Sequence, residues 1–211
     1  MKLKKYLPVF FWALAGLIFS LLVALVDVKP AGVNQTSLGF ADVNLAVREA
    51  VGVNLTWYHV SKTMGYIAIA LALLLVLSGV REWILRRDIK KVDKCYFGLA
   101  IVFVLLAVFW KAFDMIALNY RPVLENGAAA PSYPSNHTMI GLVIFGSAVL
   151  LIRQKMEKGT ARTLLIILGV LAALLTVVSR FLAGVHWLTD IIGGILFSAL
   201  LLCWFSIFIK E

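Results

Sequence analysis

Charge is scarce in this chain. Only 15% of its 211 residues are acidic or basic, against about 25% in ordinary globular chains. Hydrophobic residues fill 62% of the sequence without counting glycine, well above the usual roughly 45–50%. A water-soluble domain of this size would expose too much hydrocarbon to stay dissolved. Disorder is excluded as well, because disordered segments need low hydrophobicity. Cysteine is equally sparse: Cys95 and Cys203 lie in or beside apolar stretches, outside any CxxC pattern. They imply no metal or redox framework and read as small buried hydrophobes. The period-2 alternation of a membrane β-barrel is missing too. What remains is an all-α polytopic membrane protein.

Six apolar stretches can be marked, roughly Leu7–Val26, Trp57–Val80, Cys95–Leu118, Asn136–Ile152, Leu164–Leu182 and Trp187–Ile209. Each approaches the roughly 20 residues that a helix needs to cross about 30 Å of hydrocarbon. Backbone groups in lipid must pair internally, so the expectation is a six-transmembrane-helix bundle. Lys2, Lys4 and Lys5 before the first stretch resemble a signal peptide's basic start. The apolar run that follows is longer than the usual 7–15 residues and shows no small-residue cleavage site, so a retained span is expected. No internal repeat or second domain is evident, and residues 1–211 are expected to form one domain.

The net charge of +9 does not point to nucleic acid, because the basic residues sit between apolar segments rather than along one binding face. Fourteen of the 20 lie at one end of the expected bundle: Lys2, Lys4, Lys5, Arg81, Arg86, Arg87, Lys90, Lys91, Lys94, Arg153, Lys155, Lys158, Arg162 and Lys210. By the positive-inside rule that end is cytoplasmic and both termini are inside. The expected setting is a bacterial inner membrane. On the other side lie a long connection near 27–56, holding the amphipathic stretch Ala41–Val51 as an interfacial candidate, a second near 119–135, and a short one around Ala183–Val185.

Ionisable residues at membrane depth are costly and are functional candidates by default. They are His59, Lys62, Lys111, Asp114, His137, Arg180, His186 and Asp190, with Arg121 just beyond a span end. All fall toward the outer ends of their helices. For His59 and Lys62, interfacial snorkelling is the simpler reading. The others have informative spacing. His186 and Asp190 are i and i+4, and share a helix face if the last span begins at or just before His186. A carboxylate there accepts the Nδ1 proton and leaves Nε2 free as a nucleophile. Arg180 offers a forked donor for phosphate. Ser135 is a natural N-cap before Asn136 and His137, where free helix amides bind anions. Arg121 precedes Pro122, which ends the third span locally. Together these are the parts of phosphoryl transfer without a metal: cations for the phosphate oxygens, a nucleophile, and an acid for the leaving group. Arginines would repel a bound cation, so neither a metal nor a cofactor is expected.

These residues resemble the type-2 phosphatidic acid phosphatase family of integral-membrane lipid phosphatases. Its signatures run Lys-x6-Arg-Pro, Pro-Ser-Gly-His and Ser-Arg-x5-His-x3-Asp. The third is complete as Ser179, Arg180, His186 and Asp190; the second appears as Pro134-Ser135-Asn136-His137, with asparagine for glycine. The first keeps Arg121-Pro122 but places Asp114 at the lysine position. The motif-bearing core covers about 111–190. The resemblance implies that His186 attacks phosphorus, Asp190 orients it and His137 protonates the leaving oxygen. Arg121, Ser135, Asn136 and Arg180 would hold the phosphate oxygens, and water would complete the hydrolysis. Lys111 is placed beside Asp114 by its i, i+3 spacing. Either Lys111 reaches the site with Asp114 as partner, or the pair is structural and Asp114 pairs with Arg121.

The function expected is hydrolysis of a lipid phosphate or diphosphate, of polyprenyl diphosphate or phosphatidate type, at the outer membrane face. Two alternatives share the residues: a lipid phosphotransferase, and a non-catalytic lipid-phosphate binder or transporter. The expected partners are the lipid substrate and membrane lipids; the sequence leaves oligomeric state open.

Overall fold

The computed structural model describes residues 3–209. Lys2 and Lys210, counted above among the basic residues of one end, lie outside the described residues. Seven α-helices follow in order: α1 (Leu7–Leu25), α2 (Ala41–Val51), α3 (Leu55–Arg86), α4 (Lys94–Ile116), α5 (Asn136–Lys155), α6 (Thr160–Leu182) and α7 (Leu188–Ser206). All but α2 are long and apolar enough to cross a membrane. The six spans therefore fall where the hydropathy placed them, and no strand forms among the described residues beyond isolated bridges.

Local chemistry sets the helix starts. The Asn54 side chain accepts the Trp57 N–H at 3.1 Å, and Ser135 accepts that of Thr138 at 3.4 Å, each relieving an orphan amide. The α3 helix is the exception in length. Its 32 residues correspond to about 48 Å, more than the bilayer's hydrocarbon thickness, and it runs past Val80 to Arg86 on the basic side.

The α5 and α7 helices form the centre. Half of each spanning window is buried in protein, against 11% for α1. The α5 helix packs against α6, α7 and α3, while α1 and α4 pack on α7. The outer helices turn leucine, isoleucine and valine outward, as lipid contact requires. Between α4 and α7 an aromatic cluster forms: Phe113 lies 5.0 Å from Phe197 and 5.7 Å from Tyr133, ring centre to ring centre.

The two ends of the bundle differ. At the basic end Lys155 of α5 bridges Glu82 of α3 at 3.3 Å and Asp93 before α4 at 2.9 Å. At the opposite pole the connections interlock. The Asn54 N–H donates to the Ala183 carbonyl at 3.2 Å, and the Ser135 N–H to the Asp190 carbonyl at 2.9 Å. Residues 119–132 form a small hairpin, with the Arg121 N–H on the Ala130 carbonyl at 2.9 Å. Its tip, Asn126-Gly127, has φ of 51° and 80°, the left-handed pair that such a tight turn demands. The amphipathic α2 packs on α7: Ala41 and Asn44 are buried, and Leu38, Ala41 and Trp187 form a cluster of their own.

Candidate active site

The pole opposite the basic end gathers the ends of α4, α5, α6 and α7. Its centre is the turn from α6 to α7. Gly184 holds φ at +64° there, and a Cβ on it would meet the Gly52 carbonyl oxygen; the turn and the segment after α2 are in direct backbone contact. This turn carries His186, and α7 begins only at Leu188, with Trp187 as N-cap. His186 is thus outside the helix, which corrects the shared-face geometry inferred from the i, i+4 spacing. The pair meets by another route. Asp190 is the third helical residue, and its Oδ2 reaches back to accept the Trp187 N–H at 3.0 Å, the acidic half of a capping box. The same oxygen lies 3.2 Å from His186 Nδ1.

The protonation pattern follows from donors alone. An arginine can only donate, and Arg180 Nη2 lies 3.0 Å from His186 Nε2. Nε2 therefore accepts, and Nδ1 carries the proton that it donates to Asp190. Arg180 is 1% exposed and Asp190 0%, so the Arg180–His186–Asp190 chain is removed from water and its hydrogen bonds are strengthened by the low dielectric. Burial, and the neighbouring Arg180 and Arg121, hold the His186 pKa well below the ordinary imidazole value. The ring is neutral, with its lone pair on Nε2.

Pro134, Ser135, Asn136 and His137 open α5 beside this chain. Tyr133 before them is buried, hydrogen-bonds Ser20 of α1 at 2.9 Å, and has its phenol pushed up to about 12 by burial. The Tyr133–Pro134 peptide bond is cis. The approach to α7 is close: a Cβ on Gly193 would lie 2.5 Å from the Tyr133 ring, and one on Gly194 3.1 Å from the Ser135 carbonyl oxygen. The Ser135 hydroxyl also takes the Thr138 hydroxyl at 3.0 Å. Asn136 Oδ1 is buried without a hydrogen-bond partner. His137 rests on α3, where a Cβ on Gly65 would lie 3.2 Å from its Cδ2.

Arg121 is mostly buried, and its Nε lies 3.3 Å from Glu125 Oε2 across the hairpin. Asp114 is not its partner. Asp114 lies instead 3.7 Å from Lys111, and both side chains are exposed on α4, Lys111 by 74%. The Lys111–Asp114 pair is therefore present, and the pairing of Asp114 with Arg121 is replaced by Glu125.

Three contributors were not legible from spacing. Asn119, fully buried just after α4, donates through Nδ2 to Asp190 Oδ1 at 3.4 Å and Thr189 Oγ1 at 3.3 Å, and accepts the Gly39 N–H at 3.1 Å. Asn44 of α2 donates to Thr189 Oγ1 at 2.9 Å and accepts the Thr189 N–H at 3.2 Å. Trp187 donates from its indole to the Tyr120 carbonyl at 2.6 Å. Only the polarity of Asn44 and Asn119 beside apolar runs signalled them.

Comparison with known proteins fits this geometry. Residues 114–211 match the family model of the PAP2 superfamily. The whole chain is similar in structure to the first transmembrane PAP2 type phosphatidylglycerolphosphate phosphatase from Bacillus subtilis, known from its crystal structure. The TM-score is 0.67 and the identity 21%, over 96% of each chain. No curated protein sequence matches. The chain is an integral membrane protein with the transmembrane PAP2 fold. Its segment 114–211 matches the PAP2 superfamily, which bears out the resemblance drawn from the three signatures.

Proposed function

We propose that the protein is a metal-independent lipid phosphatase that works through a phosphohistidine at His186. The observation that carries this reading is the Arg180–His186–Asp190 chain. Asp190 fixes the Nδ1–H tautomer and stabilises the charge that appears on the ring as Nε2 attacks. Arg180 marks where a phosphate oxygen sits, since its guanidinium now donates to the very lone pair that would attack. With Nδ1 donating to Asp190 and the Nε2 lone pair accepting from a guanidinium, the imidazole has no lone pair free for a metal ion.

In the first step the Nε2–P bond forms and the P–O bond to the lipid breaks. His137 gives a proton to the leaving oxygen. Arg121, Arg180, the Ser135 hydroxyl and the amides at the start of α5 hold the oxygens of the transferring group. Asn136 contributes its backbone N–H at the start of α5, beside its buried, unpartnered amide oxygen. In the second step water attacks phosphorus, His137 accepts its proton, and phosphate leaves. Lys111, exposed and neutralised by Asp114, stays a peripheral candidate.

The substrate class is a lipid phosphate or diphosphate in the outer leaflet of a bacterial inner membrane, with both termini cytoplasmic. The basic residues gathered at the end opposite the site support that orientation. A single domain over 1–211 is supported by the structural similarity along 96% of the chain. The test is phosphate release by detergent-purified protein in EDTA, from phosphatidate, phosphatidylglycerophosphate and a polyprenyl diphosphate. Release by the parent and none by His186→Ala is the expected result. Lipid-phosphate binding without release from any substrate would overturn the enzyme reading.

A further inference from the structure

A cavity of about 800 Å³ opens at the basic end of the bundle. Its lining comes from four places in the chain: Lys5 just before α1, Leu150 and Arg153 near the end of α5, Arg162 in the first turn of α6, and Ser206 and Ile209 at and beyond the end of α7. The 20 residues of α5, about 30 Å of helix, separate this cavity from the Ser135–His137 segment of the candidate active site.

The cations of this end fall into two groups. Toward α3 and α4 they meet carboxylates: Arg86 lies 3.1 Å from Glu82, Lys155 2.9 Å from Asp93 and Lys91 3.9 Å from Asp88. Around the cavity they do not. Lys5 donates to the Ile207 carbonyl, and Arg162 Nη2 to the Arg153 carbonyl at 2.9 Å. Among the described residues Lys5, Arg153 and Arg162 form no ion pair, and no carboxylate lines the cavity. The carbonyl ties hold Lys5 and Arg162 in place while leaving both charges uncompensated. Arg162 Nε is moreover buried without a hydrogen-bond partner, which is costly for a guanidinium N–H. The positive-inside rule accounts for a surplus of basic residues at one end of a bundle. It does not account for three of them converging on one cavity while the acids of that end pair elsewhere.

We propose that this cavity is a second lipid site, which binds the phosphate of an anionic phospholipid headgroup between Lys5, Arg153 and Arg162. One ammonium and two guanidiniums suit a phosphate, whose oxygens accept charge-assisted hydrogen bonds from each. Leu150 and Ile209 add an apolar wall. A free phosphate gains nothing from it, whereas the stem of a lipid does. Basic pockets between transmembrane helices at a membrane surface are where anionic headgroups bind. The headgroup would tie the ends of α1, α5, α6 and α7 together. The orientation proposed above puts it in the cytoplasmic leaflet, and the assignment is independent of the chemistry at His186.

The experiment titrates the full chain in detergent with phosphatidylglycerol, with phosphatidylcholine of the same acyl chains, and with inorganic phosphate. Bound lipid is counted by native mass spectrometry and the thermal midpoint is followed in parallel. The parent is compared with the pair Arg153→Gln/Arg162→Gln and with a control pair, Lys90→Gln/Lys94→Gln. The control removes the same charge from exposed positions at the same end, outside the cavity. The parent is expected to bind phosphatidylglycerol about tenfold or more tightly than phosphatidylcholine, and the cavity pair to lose about tenfold or more of that affinity, against less than about threefold for the control. Lipid-phosphate hydrolysis at the opposite pole should stay within about twofold of the parent in both pairs. Equal losses in the two pairs would mean diffuse surface charge and overturn the assignment, as would a parent that does not prefer phosphatidylglycerol. Inorganic phosphate raising the midpoint as much as phosphatidylglycerol at equal concentration would overturn the lipid and leave a free-anion site. Should the cavity pair fail to fold, Lys5→Gln decides, since it leaves the Arg162–Arg153 tie intact: a loss of about threefold or more is expected, and unchanged binding overturns the proposal.

Discussion

Asn119 and Asp190 meet in a fully buried contact, 3.4 Å from amide nitrogen to carboxylate Oδ1. The other carboxylate oxygen takes the Trp187 N–H and faces His186. Both oxygens of Asp190 are thus occupied, and the carboxylate cannot swing away from the imidazole. Asn119 in turn accepts the Gly39 N–H, so the long connection between α1 and α3 is tied to the residue that orients the histidine.

Asn119→Ala should therefore act through Asp190. Losing the amide frees one carboxylate oxygen and opens a small void in a buried network, where unmade hydrogen bonds are expensive. A fall of about tenfold or more in kcat with KM within about twofold is expected on the best substrate. Steady-state kinetics check this. A raised KM with unchanged kcat would show that Asn119 serves binding instead.

Asp190→Asn keeps the shape and removes the charge. The amide can no longer both accept from Nδ1–H and stabilise an imidazolium, and the wrong tautomer becomes available. A loss of about 100-fold or more in kcat is expected with the fold retained, measured alongside a thermal melt. Activity within threefold of the parent would remove Asp190 from the mechanism.

Stability should depend on pH through His186. Its pKa in the folded protein is pushed well below 6.5 by burial and by Arg180 and Arg121, while the unfolded imidazole titrates near about 6.5. Below that value the unfolded state binds the extra proton, so stability is intact above about pH 6.5 and falls as pH drops beneath it. The slope from this one group reaches at most about 1.4 kcal/mol per pH unit. Thermal midpoints from pH 8 to 5 should show the fall for the parent and a shallower one for His186→Asn. Identical slopes would mean that His186 is not the titrating group.

Gly193→Ala tests the α5–α7 contact. The new Cβ would lie 2.5 Å from the buried Tyr133 ring, which packs edge-on against Phe113 and hydrogen-bonds Ser20. Something must shift, at a cost of about 1–3 kcal/mol, and the start of α5 shifts with it. A lower melting midpoint together with reduced activity is expected. A variant that melts and turns over like the parent would show that this approach is loose.

Most of the bundle was legible because lipid imposes one rule on every span, and runs such as Leu164–Leu182 obey it without help from tertiary contacts. The helix ends were less so. Trp187 is apolar and invites inclusion in the last span, yet it caps α7, and His186 stays in the turn. The residues drawn together at the pole opposite the basic end include His186, Asp190, Arg180, Ser135, His137 and Arg121, all readable because their types and order carry a chemistry. Asn44 and Asn119 carry none by themselves. Their work depends on Thr189 and Asp190, far along the chain, and no local pattern encodes such a meeting. The hairpin at 119–132 had a local signal in Asn126-Gly127, which a short connection between two apolar spans concealed.

The central claim is a covalent bond between phosphorus and His186 Nε2. The direct measurement is rapid acid-free quenching of the protein during turnover of a lipid substrate labelled in its terminal phosphate, followed by peptide mass analysis under alkaline conditions that preserve phosphohistidine. The account predicts label on the peptide containing His186, labile to acid, absent from His186→Ala, and accumulating in His137 variants if the acid also serves hydrolysis of the intermediate. Turnover by the parent with no labelled protein, or label on any other residue, would contradict it.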